Sequence, residues 1–203
     1  GRQKRPNLYD MMAEKPEQLV SRDLRREVPE RMKYDGSVDV PLDVDALRAE
    51  LQLLAGEDIK SLAVCFLYGF LNTEHEELAK RVIAEELPDV FVSTSHDVAP
   101  EFREFERLST TVVNAYLGPV MQRYIRRLKE NLDEIGLEIA PQLTQSNGGV
   151  IGFDTAANLP VRTVLSGPST GVVAAQAIGK MSGFDNIITF DVGGTSSDVA
   201  LLQ

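Results

Sequence analysis

The chain of 203 residues contains a single cysteine, only two histidines and no tryptophan. One cysteine cannot form an internal disulfide. Cys65 lies in the apolar run Leu62–Leu67, so we expect a buried thiol rather than a nucleophile, in a reducing, cytoplasmic setting. The histidines, His75 and His96, are far apart and lack the spacing of zinc ligands, so the sequence predicts no zinc site.

Basic residues are also in short supply, since 21 lysines and arginines stand against 31 aspartates and glutamates, for a net charge of −10. This excess of negative charge argues against nucleic acid or an anionic membrane surface as a partner. No apolar run reaches transmembrane length, and the first residues lack the pattern of a signal peptide. The 43% of hydrophobic residues is enough for a core. These totals predict a globular cytoplasmic protein with neither nucleic acid nor membrane as partner.

The first hundred residues predict a parallel βαβ unit preceded by a hairpin. Asp35-Gly36 is typical of a hairpin turn. Two amphipathic helices and two apolar strands alternate after it, which is typical of parallel neighbours joined by a helix. The predicted elements are a helix capped by Asp43 and ending near Ala55, a strand at Ser61–Leu67, a helix from the capping box Thr73–Glu76 to Leu87, and a strand at Val90–Thr94.

Four polar side chains in or just after this region have an expected role. His75 lies in the first turn of a helix and is expected on the surface. His96 follows a strand, so it either lines a substrate cleft at the carboxyl edge of the sheet or belongs to a plain loop. Arg103 and Arg107 are expected to pair with neighbouring glutamates.

A long helix is predicted from Leu108 to Ile135, because two stripes of apolar residues recur there at helical spacing. Stripes this wide predict burial on more than one side. Gly118-Pro119 is expected to kink or split the helix. Beyond it we predict a strand at Glu138–Gln145, a donor-rich turn at Ser146–Gly149, a strand at Val161–Leu165 and a helix from Ser166 to about Met181.

The last stretch, NIITFDVGGTSSDVALL at 186–202, predicts a hairpin of two apolar strands around Gly193-Gly194. Adjacent glycines can adopt positive φ and leave no Cβ in the way of a ligand, so backbone N–H groups can converge on an anion. Thr195 and Ser196 add hydroxyl donors suited to phosphate oxygens. An ordinary tight turn, with aspartates that serve only solubility, is the alternative interpretation.

Two further groups complete the candidate site. Asp191, at the mouth of the first strand, is placed to hold Mg²⁺, and Asp198 is a possible second carboxylate. Ser166 and Gly167 open a helix whose N-terminal N–H groups can bind an anion.

Five blocks of sequence resemble the hydantoinase A / 5-oxoprolinase family. The residues DVGGTSSDV at 191–199 look like a phosphate loop of the actin, sugar-kinase and heat-shock ATPase superfamily. Five blocks resemble the family more specifically than this loop does. They are GRQKRPNLYD at 1–10, PEFREFERLSTTVVNAYLGP at 100–119, SNGGV at 146–150, VRTVLSGPSTGVVAA at 161–175 and GFDNIITFDVGGTSSDVALL at 183–202. The resemblance extends over nearly the whole chain except the region around 45–95.

The resemblance implies an α/β fold, part of a ribonuclease-H-like, actin-type ATPase with two halves. Residues 1–100 would be the remainder of the first half, 101–135 a long connecting helical segment, and 136–203 core strands and a helix with the phosphate-binding hairpin. It further implies that the chain is a fragment, with another phosphate loop before residue 1 and more of the second half after residue 203. The isolated fragment is then expected to be inactive.

The resemblance also implies an ATP- and Mg²⁺-dependent hydrolase of a small cyclic amide, acting with a B-type hydantoinase subunit. ATP would phosphorylate the amide oxygen before water opens the ring. Two alternatives remain, an acetone-carboxylase-type subunit and a non-catalytic ATP switch of the chaperone or reactivase type. Whether the ring is hydantoin, N-methylhydantoin or 5-oxoproline is left open.

Overall fold

The computed structural model describes residues 9–10, 12–13 and 18–203. The chain divides into two compact units, one ending at Pro119 and one running from Val120 to Gln203. Helices and strands are mixed in both, which places the protein in the mixed α/β class. The block noted at 1–10 lies, except for Tyr9 and Asp10, outside the described residues. Across the described ranges, no helix combines the length and apolar character needed to cross a bilayer.

The first unit contains the predicted hairpin and βαβ motif. β1 and β2 are antiparallel, and Gly36 at their turn has φ +81°. β3 and β4 are parallel, with Ser61 opposite Phe91 and Val64 opposite Thr94, and α2 connects them. The elements are β1 (Arg31–Met32), β2 (Val38–Val40), α1 (Val44–Ala55), β3 (Ser61–Val64), α2 (Glu74–Glu86), β4 (Phe91–Thr94) and α3 (Ser95–Val98). Both sequence predictions are confirmed.

Helix α1 forms as its local sequence predicts. The Asp43 carboxylate accepts a hydrogen bond from the backbone N–H of Ala46 at 2.9 Å, which caps the helix, and Gly56 follows its end. The apolar positions Leu47 and Leu51 are buried against α2, where Val82 is buried in the same core. This core holds the helices α1 and α2 on the β3–β4 pair.

Helix α4 (Glu104–Glu134) is continuous through Pro119, so the predicted split is wrong. The prediction that both of its apolar stripes are buried is also wrong, because Tyr116, Val120 and Tyr124 are 65%, 65% and 55% exposed. The neighbouring stripe does face a core, and its Ile125 is buried.

Gly118 gives the first testable prediction. A Cβ at this position would overlap the ring of Phe91, which is buried. Gly118→Ala should therefore lower the free energy of unfolding by about 1–3 kcal/mol, despite the higher helix propensity of alanine. Thermal unfolding measures the loss, which corresponds to a melting temperature lower by roughly 2–12 °C.

Gly171 is the matched control, because it is also inside a helix but a Cβ there would meet no atom within 4 Å. Gly171→Ala should raise stability by about 0.5–1 kcal/mol through helix propensity alone. Equal effects of the two substitutions would contradict the close approach of Phe91.

The second unit begins within α4 and ends in a hairpin. Its elements are β5 (Gln142–Thr144), β6 (Val150–Gly152), α5 (Phe153–Asn158), a 3₁₀ turn (Pro160–Thr163), α6 (Ser166–Met181), β7 (Ile187–Val192) and β8 (Ser197–Leu202). β5 and β6 are antiparallel, and α5 packs its buried Phe153 and Ala156 against α4 residues of this unit. The helix predicted from Ser166 to Met181 is confirmed.

The strand predicted at Val161–Leu165 is wrong. The N–H of Arg162 donates to the carbonyl of Leu159, as expected in a 3₁₀ turn, and the Arg162 carbonyl accepts from the N–H of Ser146 at 2.7 Å. These backbone groups bond to a turn instead of a neighbouring strand, so the apolar residues there do not form a sheet.

Candidate functional site

The candidate site centres on the hairpin of β7 and β8. Its strands are antiparallel and in register from Ile187–Leu202 to Val192–Ser197, with Asp191 directly opposite Asp198. The backbone N–H of Gly193 donates to the carbonyl of Ser196 at 2.9 Å and closes the turn. The predicted hairpin around Gly193-Gly194 is confirmed.

Gly193 and Gly194 leave open space beside the backbone, and neither has a positive φ. Neither Gly193 nor Gly194 is among the described residues with a left-handed backbone, so this turn does not use the positive φ that glycine allows. A Cβ on Gly194 would meet no atom within 4 Å, and one on Gly193 would meet only the Ser196 carbonyl at 3.6 Å. The space next to the backbone is therefore open to a ligand.

Two carboxylates face the same side of this hairpin. Directly opposed residues of an antiparallel pair project to one face, with Cα atoms about 4.5–5.5 Å apart. Asp191 and Asp198 are both exposed, and the Ser196 hydroxyl lies 3.5 Å from Oδ2 of Asp198. Like charges directly opposite one another are destabilising, and a bound cation would relieve this repulsion. The donor set, oxygen atoms from one or two carboxylates, fits Mg²⁺.

The start of α6 is joined to the turn at Ser146–Gly149. The Ser169 hydroxyl donates to the Ser146 carbonyl at 2.6 Å, and the N–H of Leu165 donates to the Ser146 hydroxyl at 3.2 Å. A Cβ on Gly148, which has φ +84°, would lie 2.7 Å from Cγ2 of Val173. The turn at Ser146–Gly149 and the start of α6, which the sequence showed as separate donor-rich segments, are thus hydrogen-bonded to each other. The hydroxyl groups of Ser146 and Ser169 are used in these bonds. Ser166 is half-buried and Gly167 exposed in the first turn of α6.

Helix α6 contacts both strands of the hairpin, β7 and β8. Gly179, near the end of α6, contacts the Ile187 side chain at the start of β7. The end of α6 therefore lies next to the start of β7.

A second polar cluster lies in the first unit, centred on Glu76. This side chain is fully buried. Its Oε1 accepts from the Phe66 N–H at 2.9 Å and the Ser95 hydroxyl at 2.6 Å. Its Oε2 accepts from the N–H of His96 at 2.9 Å and lies 2.9 Å from Nδ1 of the same histidine. The predicted capping box is wrong. The Glu76 carboxylate binds the segments that follow β3 and β4 instead of the start of its own helix, and the Thr73 side chain makes no cap hydrogen bond.

Three other polar predictions for this unit are corrected. His75 is 3% exposed and its Nδ1 is 2.8 Å from the Glu30 carboxylate, so it is not a surface histidine. Arg107 is buried and donates to the Ser95 hydroxyl and to the carbonyls of Glu101 and Phe66, not to a carboxylate. His96 is no plain loop residue, since α3 holds it beside α2.

The electrostatics of this cluster follow from its burial and hydrogen bonds. Burial alone would lower the pKa of His96, but the bonds to Glu76 and Glu77 outweigh it and raise the pKa. Burial alone would raise the pKa of Asp97, but hydrogen bonds from Lys80 and Thr94 lower it. Burial raises the pKa of the Cys65 thiol, in agreement with an unreactive cysteine.

Known families match both parts of the chain. A model described as hydantoinase/oxoprolinase N-terminal region matches residues 1–87, and one described as hydantoinase/oxoprolinase matches residues 107–203. The alpha subunit of caprolactamase from Pseudomonas jessenii is 39% identical over 95% of this chain and 28% of its own length. The 5-oxoprolinase of Dictyostelium discoideum is 28% identical over 98% of this chain and 18% of its own.

Two solved structures resemble the chain closely. The crystal structure of the ATP-dependent caprolactamase from Pseudomonas jessenii matches with a TM-score of 0.83 at 39% identity, over 95% of this chain and 28% of that one. A nucleotide-free structure of acetone carboxylase matches with a TM-score of 0.83 at 30% identity, over 91% of this chain and 26% of that one. The chain thus spans little more than a quarter of these structures.

Proposed function

The chain belongs to the hydantoinase/oxoprolinase family. We propose that the complete protein, of which this chain is a part, is an ATP-dependent hydrolase of cyclic amides. The observation that carries this proposal is the hairpin with Asp191 opposite Asp198 beside an open Gly-Gly turn. Carboxylates, hydroxyls and accessible backbone N–H groups at one turn suit a metal-bound phosphate. The relatives named for an ATP-dependent caprolactamase and a 5-oxoprolinase support an amide substrate.

The roles of this chain's residues follow from their chemistry. Asp191 would hold Mg²⁺, with Asp198 as a second carboxylate. Gly193, Gly194, Thr195 and Ser196 would contact phosphate oxygens, with the helix start at Ser166 and Gly167 as a second anion contact. ATP would supply the phosphoryl group that makes the amide oxygen a leaving group, and Mg²⁺ would neutralise phosphate charge.

The finer architecture belongs to the same proposal. We assign the chain to an actin-type ATPase fold, in which the β7–β8 hairpin is one of two phosphate loops. Residues 1–100 would then complete the first half of the fold, 101–135 would form the helical segment that connects the two halves, and 136–203 would belong to the catalytic core. Ile188 and Phe190, on one face of this hairpin, are 71% and 70% exposed. A two-stranded hairpin is not stable with such a face in water, which supports its packing into a larger sheet or against another layer.

The partner and location are likewise proposed. The caprolactamase relative is named as a subunit, which supports a separate partner subunit, and a B-type hydantoinase subunit is our candidate. A cytoplasmic location agrees with the single cysteine.

Product analysis on the complete protein tests the activity. Hydantoin, N-methylhydantoin, 5-oxoproline and a simple lactam are incubated with Mg-ATP, and acetone with Mg-ATP and bicarbonate. We expect a ring-opened acid, with ATP consumed only when a cyclic amide is present. A carboxylated ketone instead would favour the alternative that the acetone carboxylase relative suggests. ATP turnover that needs no small substrate would favour an ATP switch.

A further inference from the structure

Three side chains in the first unit bring their ligand atoms together next to α3. Glu77, His96 and Asp97 each place one nitrogen or oxygen so that all three atoms lie within 4.8 Å of one another. Nε2 of His96 is 2.8 Å from Oε1 of Glu77 and 3.5 Å from Oδ1 of Asp97. One imidazole nitrogen and two carboxylate oxygens thus lie close to one another.

The other side of the imidazole is held by a buried carboxylate. Nδ1 of His96 lies 2.9 Å from Oε2 of Glu76, which is fully buried and is itself fixed by backbone and hydroxyl donors. A carboxylate behind the ring is the arrangement that orients metal-ligating histidines, because it accepts a hydrogen bond from Nδ1–H and so leaves the Nε2 lone pair directed outward.

That lone pair meets two other acceptors. In the neutral imidazole whose Nδ1–H donates to Glu76, Nε2 has no proton to donate to Glu77 or Asp97, whereas the imidazolium donates from Nε2 to Glu77 as well. Three acceptor atoms facing one another repel unless a proton or a cation lies between them. A metal ion satisfies all three acceptors together, whereas a proton on Nε2 points at one of them.

We propose that Glu77, His96 and Asp97 form a binding site for a divalent transition-metal ion such as Zn²⁺. Such ions accept mixed ligand sets of imidazole nitrogen and carboxylate oxygen. The side chains of Glu77 and Asp97 are 45% and 41% exposed, so the ion enters from solvent and water completes its coordination.

The surrounding bonds prepare Asp97 for this role. Its Oδ2 accepts from Lys80 at 2.6 Å and from Thr94 at 2.7 Å, which orients the carboxylate and leaves Oδ1 toward His96. The ion would join the first turn of α2 to α3 and so stabilise the contact between them. This site is separate from the candidate phosphate site, whose residues all belong to the other unit.

Metal binding to the purified, EDTA-treated protein tests the proposal. Zn²⁺ is titrated by calorimetry, and Co²⁺ is followed by visible absorption. We expect saturable one-to-one binding and a melting temperature that rises with Zn²⁺ concentration, because the ion binds only the folded state. Glu77→Gln and Asp97→Asn should each weaken binding at least about tenfold.

Two control variants make the result specific. Glu74→Gln removes an exposed carboxylate from the same turn of α2 and should bind as the wild type does. Cys65→Ala should also leave binding and the Co²⁺ spectrum unchanged, since the thiol is no ligand in this proposal.

Four results would overturn the proposal. One is no saturable binding up to about 1 mM metal, another is affinity within twofold of wild type in both Glu77→Gln and Asp97→Asn, and the third is loss of binding in Cys65→Ala. His96→Gln, if circular dichroism shows it folded, must lose binding as well. The surface variants decide the matter even if His96→Gln does not fold.

Discussion

Replacing Glu76 with alanine is expected to lower the free energy of unfolding by about 3–5 kcal/mol. The carboxylate is fully buried and joins Phe66, Ser95 and His96. Without it, two backbone N–H groups, a hydroxyl and an imidazole lose their acceptor in a site closed to water. The loss is a large share of the roughly 5–15 kcal/mol that stabilises a typical domain.

Chemical denaturation in the presence of EDTA measures this loss without a contribution from bound metal. Glu74→Ala is the matched control, because it makes the same change two residues earlier on the same helix at an exposed position. It should alter stability by less than about 0.5 kcal/mol. If the two variants unfold at the same denaturant concentration, Glu76 does not organise this part of the fold.

Asp191→Asn is expected to reduce ATP-dependent turnover of the complete protein by about 100-fold or more, a loss of ~2.7 kcal/mol in transition-state stabilisation. Asparagine keeps the size and one oxygen but removes the charge that Mg²⁺ requires. The melting temperature should stay the same or rise slightly, because Asp191 is exposed and the change removes repulsion from Asp198.

Melting and turnover measured on one preparation distinguish this role from a structural one. A structural aspartate would lose stability while activity per folded molecule survived. Asp185→Asn, at an exposed position just before β7, is the control and should leave both quantities unchanged. Turnover of Asp191→Asn within a few-fold of wild type would refute the metal role.

Elements specified by adjacent residues were predictable. Asp43, the leucines of α1 and Gly56 lie within one helix, so its start, buried face and end follow from the local sequence. The β7–β8 hairpin follows in the same way from two apolar runs around a glycine turn. The parallel pairing of β3 with β4 was also predictable, because the helix between them leaves few other arrangements.

Predictions failed where a residue's partner is distant in sequence. Glu76 occupies a capping position in its own helix, yet its partners Phe66, Ser95 and His96 come from two other segments. Val161–Leu165 has the composition of a strand, but the turn at Ser146 takes one of its carbonyls. His96 gave one usable signal, its place after a strand in a βαβ unit.

The sequence by itself determined the family, the mixed α/β class, the glycine hairpin and the presence of Asp191 and Asp198 on its strands. These depend on residue identity and short-range periodicity. Only the tertiary structure decided that Glu77, His96 and Asp97 lie close together. Local sequence records what each side chain can donate or accept, whereas the packing of α2 against the ends of β3 and β4 decides which of these groups come within bonding distance.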